Sequence, residues 1–445
     1  MAENEKEKVV FQDYEREPVP EEKRYKWYSQ AMVWIGACFC LPCLSVGTTL
    51  ASSMPFGKFV ASCIIGAAIL WCIATLFGVL GANTNLASAF CSRFALGVGG
   101  SKIFGLMIAI SLFGWFGFQC VWFGSSVVTT FDLLSINVGS VQLWTIIGGL
   151  LMMITAVVGF KGIKFLSDFG IPLLFVLIVV GMIVTLKSLP AGTISANAKA
   201  VVQTLPLPAG ITMVVGGWST ATCMLPDISR YAASKKDSVI GSTIGFLISY
   251  PIILMIGGFF YYAYQTSDVV AVFITYCNLG VIAAIVLVIS TWTTNDNNLY
   301  SSVLGITNAM PEAMLKKVPR QTITIIVGVI STLLGVFGII NYFLGFLSLL
   351  GAIYPPVAVA ILADYYLYNK DQYEFENIDK APAFRANTCI ASAIGMLVGI
   401  LATYTSVLSG LTAILPPAVI AMIAVLIALV IINAVSKTKG KYEFK

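Results

Sequence analysis

Ser290, Thr293 and Thr294 lie in an otherwise apolar stretch, VLVISTWTTNDNNLYSS, at spacings of three and four. Residues so spaced share one helix face, so two hydroxyls and the Ser290 carbonyl can converge on a point. Neutral oxygens suit a hard monovalent cation such as sodium, holding it without trapping it. Gly36 and Phe39, three residues apart in another apolar segment, could add carbonyls if the helix there is interrupted. The plainer alternative is that these hydroxyls bond back to their own helix, as membrane Ser and Thr commonly do.

A second constellation is Trp115, Trp218 and Gln119. Two indole faces on opposite walls can sandwich a flat ring, each stack contributing about 1–3 kcal/mol. The Gln119 amide both donates and accepts, as the edge of a nitrogen heterocycle requires, and Asn295 offers the same capability. Trp122, among glycines, reads as packing. Gly216-Gly217-Trp218-Ser219-Thr220 interrupts the apolar run from Gly210 to Tyr231. Paired glycines cost helix stability and hydroxyls compete for the backbone, so an unwound segment is expected there. Gly216, Gly217 and Thr220 would then present free backbone groups, which membrane depth tolerates only beside protein or a wet cavity.

Asp296 falls at membrane depth, where a carboxylate is a functional suspect; it could take a proton or cap freed N–H groups. Asp227 and Arg230 read as a structural pair, and Asp364 as interfacial. The chain has no histidine, which removes histidine metal sites, Ser-His-Asp triads and histidine proton relays. No cofactor motif or basic nucleic-acid face is found. The ten cysteines are scattered through apolar runs and read as small apolar side chains.

These residues are carried by a membrane protein. The 445 residues are 58% hydrophobic and 11% charged, too apolar for a soluble chain. Twelve spans are predicted, at about 29–54, 59–84, 103–129, 140–160, 165–187, 207–228, 238–263, 277–301, 321–339, 342–367, 386–408 and 412–435. The charged segment 1–28 lacks an apolar core; it is expected to be cytoplasmic and disordered, as is a cytoplasmic tail over 436–445. With both termini cytoplasmic, all of the 26 Lys and Arg except Lys58, Lys187 and Lys199 lie inside.

Span one is also interrupted, at Pro42, which cannot donate a helical hydrogen bond. Pro42 and Gly217 are 175 residues apart, and the same offset carries Trp115 onto Ser290. Interrupted segments at matching places in two halves point to a transporter built from repeats. Five spans per half force opposite orientations. Repeat one is 29–187, repeat two 207–367, and two extra helices fill 386–435, all in one transporter domain over 29–435.

GWFG at 114–117, VVGGWSTATCMLPDISRY at 214–231 and TWTTNDNNLYSSVLG at 291–305 resemble the nucleobase:cation symporters, most nearly the cytosine permeases. RFALGVGGS at 93–101 and IYPPVAVAILADYYL at 353–367 extend the resemblance over nearly the whole chain. It implies an all-α membrane protein of twelve transmembrane helices, the leucine-transporter fold, with sodium where spans one and eight meet. It also implies stacking by Trp115 and Trp218, substrate contacts from Gly216, Gly217, Thr220 and Asn295, and sodium hydroxyls from Thr293 and Thr294. Two positions depart: Leu112 stands where cytosine permeases have a glutamine, and Ser290 where they have an asparagine. Gln119 instead follows Trp115 by four residues, as in the family's hydantoin transporters.

The expected activity is sodium-coupled import of a nucleobase, cytosine or purine, or a related planar heterocycle across the plasma membrane. The alternative is a proton-coupled permease for hydroxymethylpyrimidine, hydantoin or allantoin; a ligand sensor or a membrane-embedded enzyme is the more distant rival. The expected partners are the small substrate, the sodium ion and the lipid bilayer, with no nucleic acid and no obligate protein partner.

Overall fold

The computed structural model describes residues 17–158, 160–315, 317–436 and 439–441. Residues 1–16 of the charged N-terminal segment and 437–438 and 442–445 of the predicted tail lie outside the described residues. Residues 17–28, expected to be disordered, are instead held in place. Val19 N–H donates to Asn85 O, and Tyr25 is bonded to the loop after span six, donating its N–H to Tyr231 O and accepting from Ala233 N–H.

Each of the twelve predicted segments contains a helix. In order they are α1 Trp27–Cys38 with α2 Leu41–Ser53, α3 Phe56–Thr84, α4 Ser88–Leu133, α5 Val141–Val158, α6 Phe160–Ser188 and α7 Leu207–Cys223. Then follow α8 Lys235–Tyr264, α9 Gly280–Ala309, α10 Arg320–Val336, α11 Phe343–Ala363, α12 Ala386–Tyr404 and α13 Pro417–Val435. Among the described residues, seven helices are long and apolar enough to cross a membrane, and the bent pair α1–α2, taken as one span, makes an eighth. Large apolar side chains, including Ile64, Val176, Ile330, Leu397 and Val430, are exposed. Such a surface suits lipid and not water.

Span one is broken as expected, two residues ahead of its proline. α1 and α2 meet at 56°. Phe39 leaves helical geometry (ψ 73°), Cys40 is extended, and the Cys40 N–H turns to Cys38 O. Pro42 then sits in the first turn of α2, where its missing N–H is not needed.

Span six is not broken where expected. α7 runs as regular helix through Gly216, Gly217 and Thr220 and ends at Cys223, so the predicted unwinding at 216–220 is corrected. The glycines serve close approach. A Cβ on Gly216 would lie 1.8 Å from Leu347 O, and one on Gly351 of α11 would lie 2.3 Å from Thr212 O. Small residues let membrane helices meet backbone to backbone, which offsets their low helix propensity. Ser219 Oγ finds carbonyls at Gly216 O and across the interface at Leu350 O, without opening the helix.

The same device clamps both halves of span one onto α8. Cβ atoms on Gly47 and Gly257 would lie 2.1 Å from Leu254 O and 2.4 Å from Leu44 O. Gly241 and Gly245 receive Gln30 and Trp34 of α1. Helices α1, α2 and α3 thus pack with α7 and α8, while α4 and α5 pack with α9 and α10. Spans two and seven, three and eight, and four and nine are therefore neighbours. α4 carries the site residues of span three after a kink at Gly97, whose φ of 80° only glycine adopts freely. Val98 and Gly99 N–H groups there donate to Pro382 O and Ala383 O.

Candidate functional site

Helices α4 and α7 touch where Ser111 Oγ and Thr220 Oγ1 lie 3.3 Å apart. Ser111 is one turn before Trp115, and Thr220 two residues after Trp218, so this contact sets the two indoles on facing helices. Both are buried. Trp218 stacks on Tyr250 of α8 at 5.1 Å and 21°, with Trp34 and Phe246 against it at steep angles. Tyr250 is itself fixed, donating its hydroxyl to Val214 O. One face of the Trp218 indole is thereby covered and its plane set. Trp115 stands at 81° to both Phe343 and Phe346. Among the described residues no ring contact joins the two tryptophans, which belong to separate aromatic groups.

Gln119, one turn beyond Trp115, is completely buried. Its Nε2 donates to Asn295 Oδ1 at 3.4 Å, while its Oε1 has no hydrogen-bond partner. A buried amide oxygen without a donor loses about 1–3 kcal/mol, so Gln119 is set to accept from something. Asn295 is differently placed. Its Nδ2 donates to Phe116 O, and its Oδ1 accepts from Gln119 and from Asn298. Asn295 therefore holds α9 to α4 and orients Gln119, with its own amide already engaged. Gly216 and Gly217 remain in the helical ladder and free no backbone groups. Gly217 provides room for the Tyr250 hydroxyl, which a Cβ there would approach to 2.5 Å.

The three oxygens of the expected cation constellation lie together, bonded as in the plainer alternative. Thr293 Oγ1 and Thr294 Oγ1 both donate to Ser290 O at 2.9 Å. The hydroxyls thus bond back to their helix and, in doing so, gather three oxygens. With each hydroxyl hydrogen directed to the carbonyl, oxygen lone pairs are left for a cation. α6 lies against both the broken span one and the continuous span eight. A Cβ on Gly170 would lie 3.3 Å from Thr293 Oγ1, and Ile171 lies 3.3 Å from a Cβ on Gly36. Consecutive residues of one helix therefore touch span one and span eight. Phe39 ends α1 at this level, and Cys40 does not return the N–H that would cover the Gly36 carbonyl. Neutral hydroxyls and carbonyls fit sodium and do not fit a transition metal.

The carboxylates lie elsewhere. Asp296 is fully buried against α5, where its Oδ1 accepts from Thr155 Oγ1 at 2.7 Å and its Oδ2 has no partner. Thr155 in turn accepts from Trp292 Nε1. Asp227 accepts from both the N–H and the hydroxyl of Ser88, capping α4. Asp364, expected at the interface, is buried and bonded to Arg385 at 2.7 Å, Tyr373 and Asn369. Tyr250, Ser111 and the Gly170-Ile171 pair were absent from the expected site. Each lies in an ordinary apolar stretch of membrane helix, and nothing in the sequence marked it.

Known proteins share this fold. The chain is 28% identical over 389 residues to the cytosine permease of Escherichia coli K12, covering 87% of this chain and 88% of that one. It is 24% identical over 433 residues to the allantoin permease of Bacillus subtilis, covering 88% of each. The hydantoin permease of Microbacterium maritypicum is 22% identical, over 79% of this chain and 75% of that one. Among solved structures, an inward-facing conformation of Mhp1 superposes with a TM-score of 0.75 at 21% identity, covering 95% of this chain and 93% of that one. A closed Mhp1, a nucleobase-cation-symport-1 transporter with bromovinylhydantoin bound, gives 0.69 at 16% identity, covering 96% and 97%. The fold is theirs. The family described as permease for cytosine/purines, uracil, thiamine, allantoin matches residues 18–384, and the chain belongs to that family of membrane permeases.

Proposed function

We propose that this permease imports a planar nitrogen heterocycle, a nucleobase or a hydantoin-like ring, in symport with sodium. The observation that carries the substrate class is the buried, unpartnered Oε1 of Gln119, one turn from Trp115 and held by Asn295. It would accept a ring N–H while Trp115 and Trp218 take the ring's two sides. Thr220 meets Ser111 at the edge of this space, and Gly216 and Gly217 seat α7 against α11 and Tyr250.

Sodium would be held by Ser290, Thr293 and Thr294 with the Gly36 and Phe39 carbonyls. The driving force is adequate. One charge falling through about 100 mV contributes about 2.3 kcal/mol, and a tenfold sodium gradient about 1.4 kcal/mol, allowing roughly 500-fold accumulation. Thr294→Ala removes one ligand with little change in volume. The sodium concentration for half-maximal uptake should rise about tenfold, an effect of about 1–2 kcal/mol. An unchanged sodium activation curve would dismiss the site.

One observation favours proton coupling instead. Asp296 is a buried carboxylate with an unpartnered oxygen, and a proton on Oδ2 would remove its charge. Replacing sodium by choline at fixed pH separates the two. The substrate is identified by thermal-shift screening against nucleobases, hydantoins and hydroxymethylpyrimidine, with and without sodium, since a ligand of the folded state raises the melting temperature.

The twelve-span topology with two inverted repeats and both termini in the cytoplasm belongs to the same proposal, with the plasma membrane as its site. It is supported by the pairing of corresponding helices and the distribution of Lys and Arg. Single-cysteine labelling should place Lys317 and Lys370 inside and Gln265 outside. An external Lys370 would remove the repeat.

A further inference from the structure

Phe39-Cys40-Leu41-Pro42-Cys43 contains a CxxC pair, which reading the ten cysteines as scattered apolar side chains passed over. The pair stands at the break in span one. Cys40 is the N-cap of α2, in extended geometry (φ −134°, ψ 156°), and Cys43 lies in the first turn. Their sulfurs are 3.3 Å apart, with the Cys40 thiol donating to Cys43 Sγ, and both side chains are buried. Among the described residues no other two cysteines are in sulfur–sulfur contact. Cys38, close by in sequence, donates to Gly245 O of α8 at 3.4 Å and is occupied. A disulfide needs a sulfur separation of about 2.05 Å, so the sulfurs must close by about 1.2 Å. Residues three apart on a regular helix have Cβ atoms about 5–6 Å apart and a disulfide holds them at about 3.5–4.5 Å, so the extended N-cap backbone must draw in as the bond forms.

The surroundings give such a bond a consequence. α1 is seated on α8 through Gly241 and Gly245, and α2 through Gly47 and Gly257. Phe39 and Cys40 join these two clamped pieces and hold the 56° bend. A change in the angle between α1 and α2 must pass through their backbone torsions. A covalent link from the N-cap residue to the first turn of α2 would fix the Cys40 backbone, beside the Phe39 carbonyl.

We propose that Cys40 and Cys43 are a redox-modification site, in which reversible oxidation by a small-molecule disulfide locks the break in span one. One cysteine, as thiolate, attacks the reagent disulfide, forming a mixed disulfide and releasing one reagent thiol. The other cysteine then attacks the modified sulfur, the Cys40–Cys43 bond forms, and the second reagent thiol leaves. The two cysteine protons end on the two released thiols, and the reagent takes up the two electrons. Burial of both sulfurs means that reaction waits on opening of the break. Dithiol reductants reverse it. The formation of this bond does not depend on which solute or ion the permease carries.

The test uses the full-length protein purified in detergent and treated with dithiodipyridine, an apolar disulfide whose released thiopyridone is measured by absorbance. Residual thiols are alkylated and peptides mapped by mass. The expected result is a Cys40–Cys43 cross-linked peptide that keeps no reagent and reverts with dithiothreitol. The exposed Cys72 should instead keep one reagent group, showing that the reagent reached the protein. Cys43→Ser should lose the cross-link and retain the reagent on Cys40 or leave it free. Amide hydrogen exchange over residues 36–44 should slow about tenfold on oxidation of wild type and stay unchanged in Cys43→Ser. Modified Cys72 with Cys40 and Cys43 still free would overturn the site. A cross-link with unchanged exchange would overturn the lock.

Discussion

Gly216→Ala is expected to leave little folded protein. The added methyl carbon would lie 1.8 Å from Leu347 O and 2.8 Å from Gly351 N, both backbone atoms that no rotamer change can move. α7 and α11 would have to separate. Overpacking commonly costs about 1–3 kcal/mol, and a backbone-to-backbone clash belongs at or above the top of that range. Gly351→Ala attacks the same contact from the other side, with its methyl carbon 2.3 Å from Thr212 O, and should behave alike. Gly57→Ala is the control. Nothing lies within 4 Å of its added carbon, and alanine is the better helix former. Fluorescence-detected gel filtration and thermal unfolding of the three variants give the readout. A stable, monodisperse Gly216→Ala would mean that the glycines of α7 serve a flexible segment after all.

The second large effect is at the ring site. Trp115→Ala removes one stacking face and should weaken binding by about ten- to a hundredfold. Trp218→Ala should do the same and also destabilise the fold, because it strips Tyr250 of its stacking partner in a buried cluster. Phe at either position keeps a π-face and should lose less. Gln119→Leu acts through a different property. It removes the unpartnered acceptor, so it should change the ranking of competing heterocycles and not only the affinity, since a site built to accept a ring N–H discriminates against rings lacking it. Leu112 offers no amide to compensate. Competition of uptake by a panel of bases and hydantoins in wild type and Gln119→Leu decides the matter. An unchanged order would take Gln119 out of substrate recognition.

What could be read in advance follows from what a single chain encodes. Ser290, Thr293 and Thr294 converge because three- and four-residue spacing is a property of the helix itself. The break in span one was legible because Pro42 interrupts an apolar run whatever surrounds it. Gly216-Gly217 is the opposite case. Paired glycines both weaken a helix and allow another backbone close, and only the Leu347 carbonyl on α11 shows which role applies. Asn295 and Asp296 are adjacent, so about a hundred degrees of helix rotation separates them. Their environments, Phe116 and Gln119 for one and Thr155 for the other, depend on neighbours that the local sequence does not name. Tyr250, set under Trp218 by a turn of α8, was invisible for the same reason.

Carriage of a heterocycle on sodium's gradient is the proposed activity. It is tested most directly in proteoliposomes with an imposed inward sodium gradient at fixed and equal pH, using labelled cytosine and labelled hydantoin, with choline replacing sodium as the control. At least one ring should accumulate above equilibrium in sodium and only equilibrate, or fail to enter, in choline. Accumulation of equal size in choline, or one that follows an imposed proton gradient instead, would contradict it and move the coupling to Asp296.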